Sequence, residues 1–265
     1  MEKITSVNNE LVKETVKLQQ KKYRDRDNKF LLEGFKSIEE AFNAGVEIEY
    51  VFTTDDNRYK FLNTAHLEIK DFDPTSSNRY PTVILTTEQV LKKISTTDSA
   101  PDAVGVAVKR NYTIENLKGL KKVVLLENIK DLGNLGTILR TSVAFGADAV
   151  VLYGKECADL YNPKCVRSSV GNLWKIPVVY IDKFTDLSIF EDFERVATLP
   201  HSKQYLKDLR VKEPVLLMFG SEADGLSSEL IKFSTKEVKI EMSDDVESLN
   251  LSVSCAVILY EMSKE

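Results

Sequence analysis

Three stretches in the second half of this 265-residue chain gather side chains that chemistry uses. In "ENIKDLGNLGTILRTS" (Glu127 to Ser142), a glycine and asparagine turn separates an apolar run from a helical pattern carrying Arg140. Backbone N–H groups at the start of a helix favour anions, so such a turn can cradle a phosphate. Its glycines can equally do no more than permit a tight bend. Gly133 and Gly136 are spaced G-x-x-G, which is not the dinucleotide fingerprint, and no P-loop lysine follows. Leu135, Ile138, Leu139, Ser142, Val143 and Gly146 follow helical spacing and form a packed face, while Arg140 lies off it, one turn above Gly136. From there its guanidinium can lie beside the first-turn N–H groups and offer a planar fork to a phosphate or carboxylate, or it can make an ordinary surface salt bridge.

The second stretch, "LLMFGSEADGLSSEL" (Leu216 to Leu230), is again an apolar strand, a loop and a helix start. Gly220 would let a ligand approach the backbone, and Glu222 would stand at the strand's carboxyl end. Asp224 reads as a helix-start carboxylate complementing the dipole. The third, "IEMSDDVESLNLSVSCAVILYE" (Ile240 to Glu261), opens a helix with Ser248, Ser252, Ser254, Cys255 and Ala256, small side chains that suit close backbone packing with Ser248 as cap. That packing does not account for Asn250 among them.

The elements that must position these residues alternate. Residues 9–24 have helical spacing, "KFLLEG" is a short strand, "FKSIEEAFNAG" a helix, "EIEYVFTT" and "TVILT" strands, "TEQVLKKIS" a helix and "DAVGVAVK" a strand. This predicts a small α/β domain over residues 1–110, followed by a polar linker at 111–121. Over residues 122–265 the strands "KVVLLE", "DAVVLY", "PVVYI", "RVATLP", "PVLLMFG" and "EVKIEM" are separated by helical patterns, including "FTDLSIFEDF" and the C-terminal "SLNLSVSCAVILYEMSKE". Strands joined through helices predict a parallel sheet covered on both faces, with ligands beyond the carboxyl ends of its strands.

Composition narrows the function classes. No apolar run approaches a membrane span, and the start of the chain lacks a signal core, so the expectation is a soluble, cytoplasmic protein without a membrane partner. Cys157, Cys165 and Cys255 form neither an even set nor a CxxC pair, which suits reduced thiols. With only His66 and His201 as histidines, and no Cys/His clustering, no metal site is expected. The net charge of −5 argues against binding nucleic acid through bulk electrostatics, but "KLQQKKYRDRDNKF" (Lys17 to Phe30) is locally basic around Tyr23. Taken alone, that run also fits a solvated helix face.

Together, "ENIKDLGNLGTILRTS", "FGSEADGLS" and "IEMSDDVESLNLSVSCAVILYE" resemble the three motifs of the SpoU/TrmH family of RNA ribose 2′-O-methyltransferases, in the SPOUT superfamily. The first half, through "KKYRDRDNKFLLEGFKSIEEAFNAG" and "DAVGVAV", is similar to the substrate-binding domain often joined to it. The chain departs from the family at Glu241 and Leu132, where proline is common. The resemblance implies a C-terminal domain with a deep trefoil knot, an exception to unknotted topology, and homodimers through that domain with the active site at the subunit interface. It implies S-adenosylmethionine as methyl donor, held around Thr198, Leu199, Gly220, Ile240, Met242 and Leu249, and a catalytic set of Asn134, Arg140, Glu222, Ser248 and Asn250. RNA would be met by Lys21, Lys22, Arg24 and Arg26 in the first domain and by Arg140 in the second. Arg140's counterpart is proposed in the family as the base; a guanidinium keeps its proton at physiological pH, so a phosphate clamp is the better reading. The expected substrate is 23S ribosomal RNA. The alternatives are a tRNA ribose, a base nitrogen, or an RNA-binding assembly factor without chemistry; a nicotinamide oxidoreductase lacks its fingerprint.

Overall fold

The computed structural model describes residues 3–57, 81–243 and 245–264. His66 and Asp244 of the third motif lie outside the described residues. The chain divides into two compact units, Met1–Arg110 with Tyr161–Arg167, and Asn111–Leu160 with Ser168–Glu265.

In the first unit, helices α1 (Glu10–Lys17), α2 (Lys21–Asp27), α3 (Phe35–Asn43) and α4 (Glu88–Ile94) accompany strands β1 (Lys29–Glu33), β2 (Ile48–Thr53), β3 (Thr82–Leu85) and β4 (Ala103–Val108). The sheet order is β1-β4-β2-β3; β4 pairs antiparallel with both neighbours, and β2 pairs parallel with β3. Val12, Leu31, Phe52, Leu91, Ile94 and Val104 are buried together. The helix expected over 9–24 is two helices. Leu18, Gln19 and Gln20 bond three residues back, to the carbonyls of Thr15, Val16 and Lys17, which tightens the last turn before the chain restarts at Lys21.

The second unit carries β5 (Lys122–Glu127), α5 (Leu132–Ala144), β6 (Ala149–Tyr153), α6 (Pro163–Ser169), β7 (Val178–Ile181), β8 (Glu194–Thr198), β9 (Val215–Phe219), α7 (Ser228–Phe233), β10 (Lys236–Val238) and α8 (Leu251–Met262). Its order is β10-β8-β9-β5-β6-β7, and every recorded pairing is parallel. Strands β6 and β9 are buried along their whole length, as the continuous apolar runs of a doubly covered sheet require. The first residues of α6 belong to the first unit, an exchange that local patterning does not reveal. Residues 111–121 are not a free linker: they join the second unit, where Leu117 is buried in the core and Tyr112, Ile114 and Leu120 pack against it. The "FTDLSIFEDF" helix is 3-10 over Phe184–Phe190, and the last strand stops at Val238 rather than continuing to Met242.

Candidate active site

The three stretches converge at the carboxyl-end side of the second unit's sheet. A cleft of about 660 Å³ lies beyond β8, β9 and β10 and beside the start of α8, within the usual size range of small-molecule sites. Thr198, Leu199 and Gly220, expected at the donor, line it together with Ile240, Met242 and Leu249. So do Glu222, Ser248 and Asn250, which the resemblance led us to expect in a catalytic set. His201, which the sequence motifs do not include, lines it too.

Asn134 enters from α5. Asp131 caps that helix, its Oδ1 accepting the Asn134 N–H at 2.7 Å, so the side chain of Asn134 issues from the first turn. Asn134 Nδ2 donates to Glu222 Oε1 at 2.8 Å, and Asn250 Nδ2 donates to Asn134 Oδ1 at 3.1 Å. Three side chains far apart in sequence are thereby joined in one hydrogen-bonded row. Asp131 is absent from the sequence candidates, although an aspartate just before an apolar helical pattern is a readable start signal.

Several local readings need correction. The "DLGNLG" turn is not a loop; both glycines lie within α5. A Cβ on Gly136 would stand 1.9 Å from Ser168 Oγ and 2.9 Å from the Ser168 carbonyl carbon, so the residue admits the Ser168 backbone against α5 rather than a ligand. A Cβ on Gly220 would fall 1.9 Å from the Gly225 carbonyl carbon and 2.1 Å from Leu226 N, so it is the chain's own loop that approaches this backbone. Asp224 does not start a helix. Its N–H donates to Ser221 Oγ at 3.0 Å within the turn, and α7 begins later, capped by Ser227. Ser248 is not the cap of α8: Asn250 is, accepting from the N–H groups of Ser252 and Val253.

Arg140 is exposed, does not line the cleft, and makes no hydrogen bond or ion pair among the described residues. Since α5 starts at Leu132, Arg140 stands roughly 12 Å along the axis from the first helical residue, too far up to lie beside the first-turn N–H groups as the spacing suggested. It is also turned roughly 120° around the helix from Asn134.

The expected RNA-facing residues of the first unit divide. Lys21 and Lys22 are exposed, and Lys22 Nζ sits 4.7 Å from the Tyr23 ring centre. Arg26 is exposed but held by Asp27 through bonds of 2.6 and 2.7 Å. Arg24 is a correction: it is 1% exposed, and its Nη1 donates to the Leu18 and Gln19 carbonyls at 2.8 Å. The break between α1 and α2 leaves those carbonyls without helical partners, and a buried guanidinium supplies them.

Among the described residues no group of three or more His, Cys, Asp or Glu is placed to hold a metal ion, and no helix is long and apolar enough to cross a membrane.

Comparison with known proteins decides the family. The SpoU rRNA Methylase family matches residues 121–260, more than half of the chain. The chain belongs to the SpoU rRNA methylase family. An MRM3-like substrate binding domain matches residues 9–105 of this SpoU methylase. It is 28% identical over 264 residues, 99% of each chain, to the 23S rRNA (guanosine(2553)-2′-O)-methyltransferase RlmP of Bacillus subtilis. It is 30% identical over 268 residues, 99% of this chain and 93% of the other, to a Synechocystis protein named as an uncharacterized tRNA/rRNA methyltransferase. An rRNA methyltransferase from Sinorhizobium meliloti has a crystal structure similar to this one, with a TM-score of 0.85 and 26% identity over 99% of this chain and 97% of that one. Its AdoMet-bound form gives a TM-score of 0.84 at the same identity and coverage. The parallel sheet and the small preceding α/β domain are those the sequence resemblance implied.

Proposed function

We propose that this SpoU methylase transfers the methyl group of S-adenosylmethionine to a ribose 2′-hydroxyl of 23S ribosomal RNA. The observation that carries the reading is the joining of Asn134, Glu222 and Asn250 at a cleft whose walls are the residues expected around the donor. The cleft suits that donor: Leu199, Ile240, Met242 and Leu249 offer apolar walls to an adenosine, and the carboxylate of Glu222 suits a cation. When bound, S-adenosylmethionine supplies an electrophilic methyl group on a positively charged sulfur. The relative from Bacillus subtilis, matched end to end, is named for 23S ribosomal RNA, which supports the choice of substrate. A ribosomal RNA substrate also suits the cytoplasm.

In this reading the first unit, residues 1–110, meets RNA with Lys21 and Lys22, and the second holds the donor and performs the transfer. Arg140 clamps a phosphate beside the target ribose and stabilises the oxygen as it gains charge. Turned away from the row formed by Asn134, it serves the cleft of a second copy. The support for a homodimer is a stripe on α8, where Val253, Val257 and Tyr260 recur at helical spacing and are 47%, 37% and 52% exposed. A trefoil knot formed by the segment leading into α8 belongs to the same reading, supported by the likeness to the Sinorhizobium meliloti structure.

The test is transfer of labelled methyl from S-adenosylmethionine to unmethylated ribosomal RNA and to bulk tRNA, followed by alkaline digestion. The expected product is an alkali-resistant dinucleotide from 23S RNA. Arg140→Ala should lower the rate on the order of 100- to 1,000-fold, the size of one lost electrostatic contact to the transition state. Label appearing in tRNA alone, or in an alkali-labile product, would refute the assignment.

A further inference from the structure

We propose that a second cleft in the second unit, which shares His201 with the donor cleft, holds the sugar-phosphate strand of the RNA beside the target nucleotide, with Lys203 as a phosphate contact. The proposal rests on the methyl-transfer reading above and adds where the flanking nucleotides lie. The second cleft has a volume of about 560 Å³ and lies between the loop that follows β8 and the segment joining α7 to β10. Its walls include Lys203 and Gln204 from the loop, Ser234 and Thr235 from the joining segment, and Lys236 and Glu237 from β10. His201 lines this cleft and the donor cleft alike. A strand that brings one ribose to the methyl group has to lay its neighbours along the adjoining surface, and His201 marks where that surface begins.

The loop between the two clefts is fixed by its own hydrogen bonds. The Ser202 N–H donates to the Leu199 carbonyl at 3.2 Å, closing a turn that leaves His201 exposed at its corner. Ser202 itself is buried, and its Oγ accepts the Gln204 N–H at 3.1 Å. Farther on, the Lys239 N–H donates to the Gln204 carbonyl at 2.9 Å and the Leu206 N–H to the Lys239 carbonyl at 2.8 Å, so the loop is laid against the chain leaving β10. Lys203, between these anchors, is exposed and makes no hydrogen bond or ion pair among the described residues. A phosphate arriving there meets a backbone that needs no ordering.

The lining indicates the chemistry of the occupant. Ile231 is the one apolar side chain among the described residues that line the second cleft, so it lacks both the apolar core of a protein-docking surface and the apolar walls of a small-molecule pocket. Hydroxyl, amide and ammonium donors match phosphate and sugar oxygens instead. Lys236 Nζ is already held by Glu194 Oε2 at 2.8 Å, which leaves Lys203 as the lining ammonium with its charge uncompensated. Glu237, the one carboxylate on the lining, repels a phosphate but accepts from a ribose hydroxyl or a base amino group, and a ribonucleotide strand carries both.

The experiment acetylates the wild-type chain lightly and follows each lysine by mass spectrometry, in the free chain, with S-adenosylmethionine, and with unmethylated ribosomal RNA. RNA should slow acetylation of Lys203 severalfold, and S-adenosylmethionine alone should not. Lys203→Glu should weaken ribosomal RNA binding about tenfold at low salt and make the slope of log affinity against log salt shallower by about one, with donor affinity by calorimetry and thermal midpoint unchanged. Lys203 left unprotected by an RNA that the chain methylates, or protected by the donor alone, would overturn the proposal while leaving the methyl-transfer reading intact. So would a Lys203→Glu chain that binds ribosomal RNA with wild-type affinity and salt slope; if that chain also methylated protein-bound ribosomal particles more slowly, the cleft would belong to a protein partner. A wild-type chain that binds donor but methylates no RNA would remove the functional reading itself, and the proposal with it.

Discussion

Arg24 and Lys22 stand two positions apart in one short helix and do opposite work. In the sequence both belong to one basic run; in the fold Arg24 is enclosed and donates hydrogen bonds to the Leu18 and Gln19 carbonyls, whereas Lys22 stays exposed beside Tyr23. Arg24→Ala should therefore lower stability by about 1.5–3 kcal/mol, the worth of hydrogen bonds to a charged group, measurable as a fall in the denaturant midpoint. Lys21→Glu with Lys22→Glu should leave that midpoint in place and weaken RNA binding, with a shallower salt dependence and unchanged donor affinity. Cys157 shows a similar effect of environment. Burial, more than its neighbours, pushes its thiol from 9.0 up to about 11. The folded value lies above the unfolded one, so the stability this neutral thiol contributes is full below pH 9 and is lost as pH rises toward 11. Thermal midpoints should fall across that window less steeply in Cys157→Ala, and alkylation of Cys157 at pH 8 should be slower than that of a free thiol.

At the scale of elements, the strands of the second unit were legible because parallel strands covered on both faces are written as short apolar runs, as in "KVVLLE" and "PVLLMFG". Boundaries were less so. The interruption at Leu18–Gln20 leaves no mark in the helical spacing of residues 9–24, because it is stabilised by Arg24 folding back. The glycines of α5 read in the sequence as a tight turn or a phosphate cradle, and only the fold shows that they lie inside the helix with Ser168 packed against Gly136. Because a Cβ at position 136 would stand 2.9 Å from the Ser168 carbonyl carbon, Gly136→Ala must push that backbone away from α5. It should cost about 1–3 kcal/mol as an overpacked contact and should also slow methyl transfer, since Asn134 lies half a turn away on the same helix. Gly146 faces open space but holds a φ of +72°, so replacement there costs backbone strain instead.

For the whole molecule, the exposed apolar stripe on α8 and the outward turn of Arg140 make one prediction. Val253→Glu with Val257→Glu should yield a monomer by sedimentation that still binds donor and has lost transfer. Mixing inactive Arg140→Ala with inactive Glu222→Gln subunits should restore about a quarter of the wild-type sites, because half of a random set of dimers is mixed and each mixed dimer has one intact site. No recovery on mixing, with subunit exchange demonstrated, would place Arg140 in the cleft of its own chain.

The sequence by itself determined the family, the alternation of strand and helix, and the identity of the polar residues that meet at the cleft, because each motif is local: a strand end, a few loop residues and a helix start. Only the tertiary structure decided what those residues do for one another. That Asn134 spans Asn250 and Glu222, that Arg24 is enclosed while Lys22 is not, and that Gly220 yields to residues 225 and 226 all depend on which segments approach in space. Periodicity records which side of an element is covered, not what covers it. The partner of a polar group is fixed only when burial removes water as the alternative.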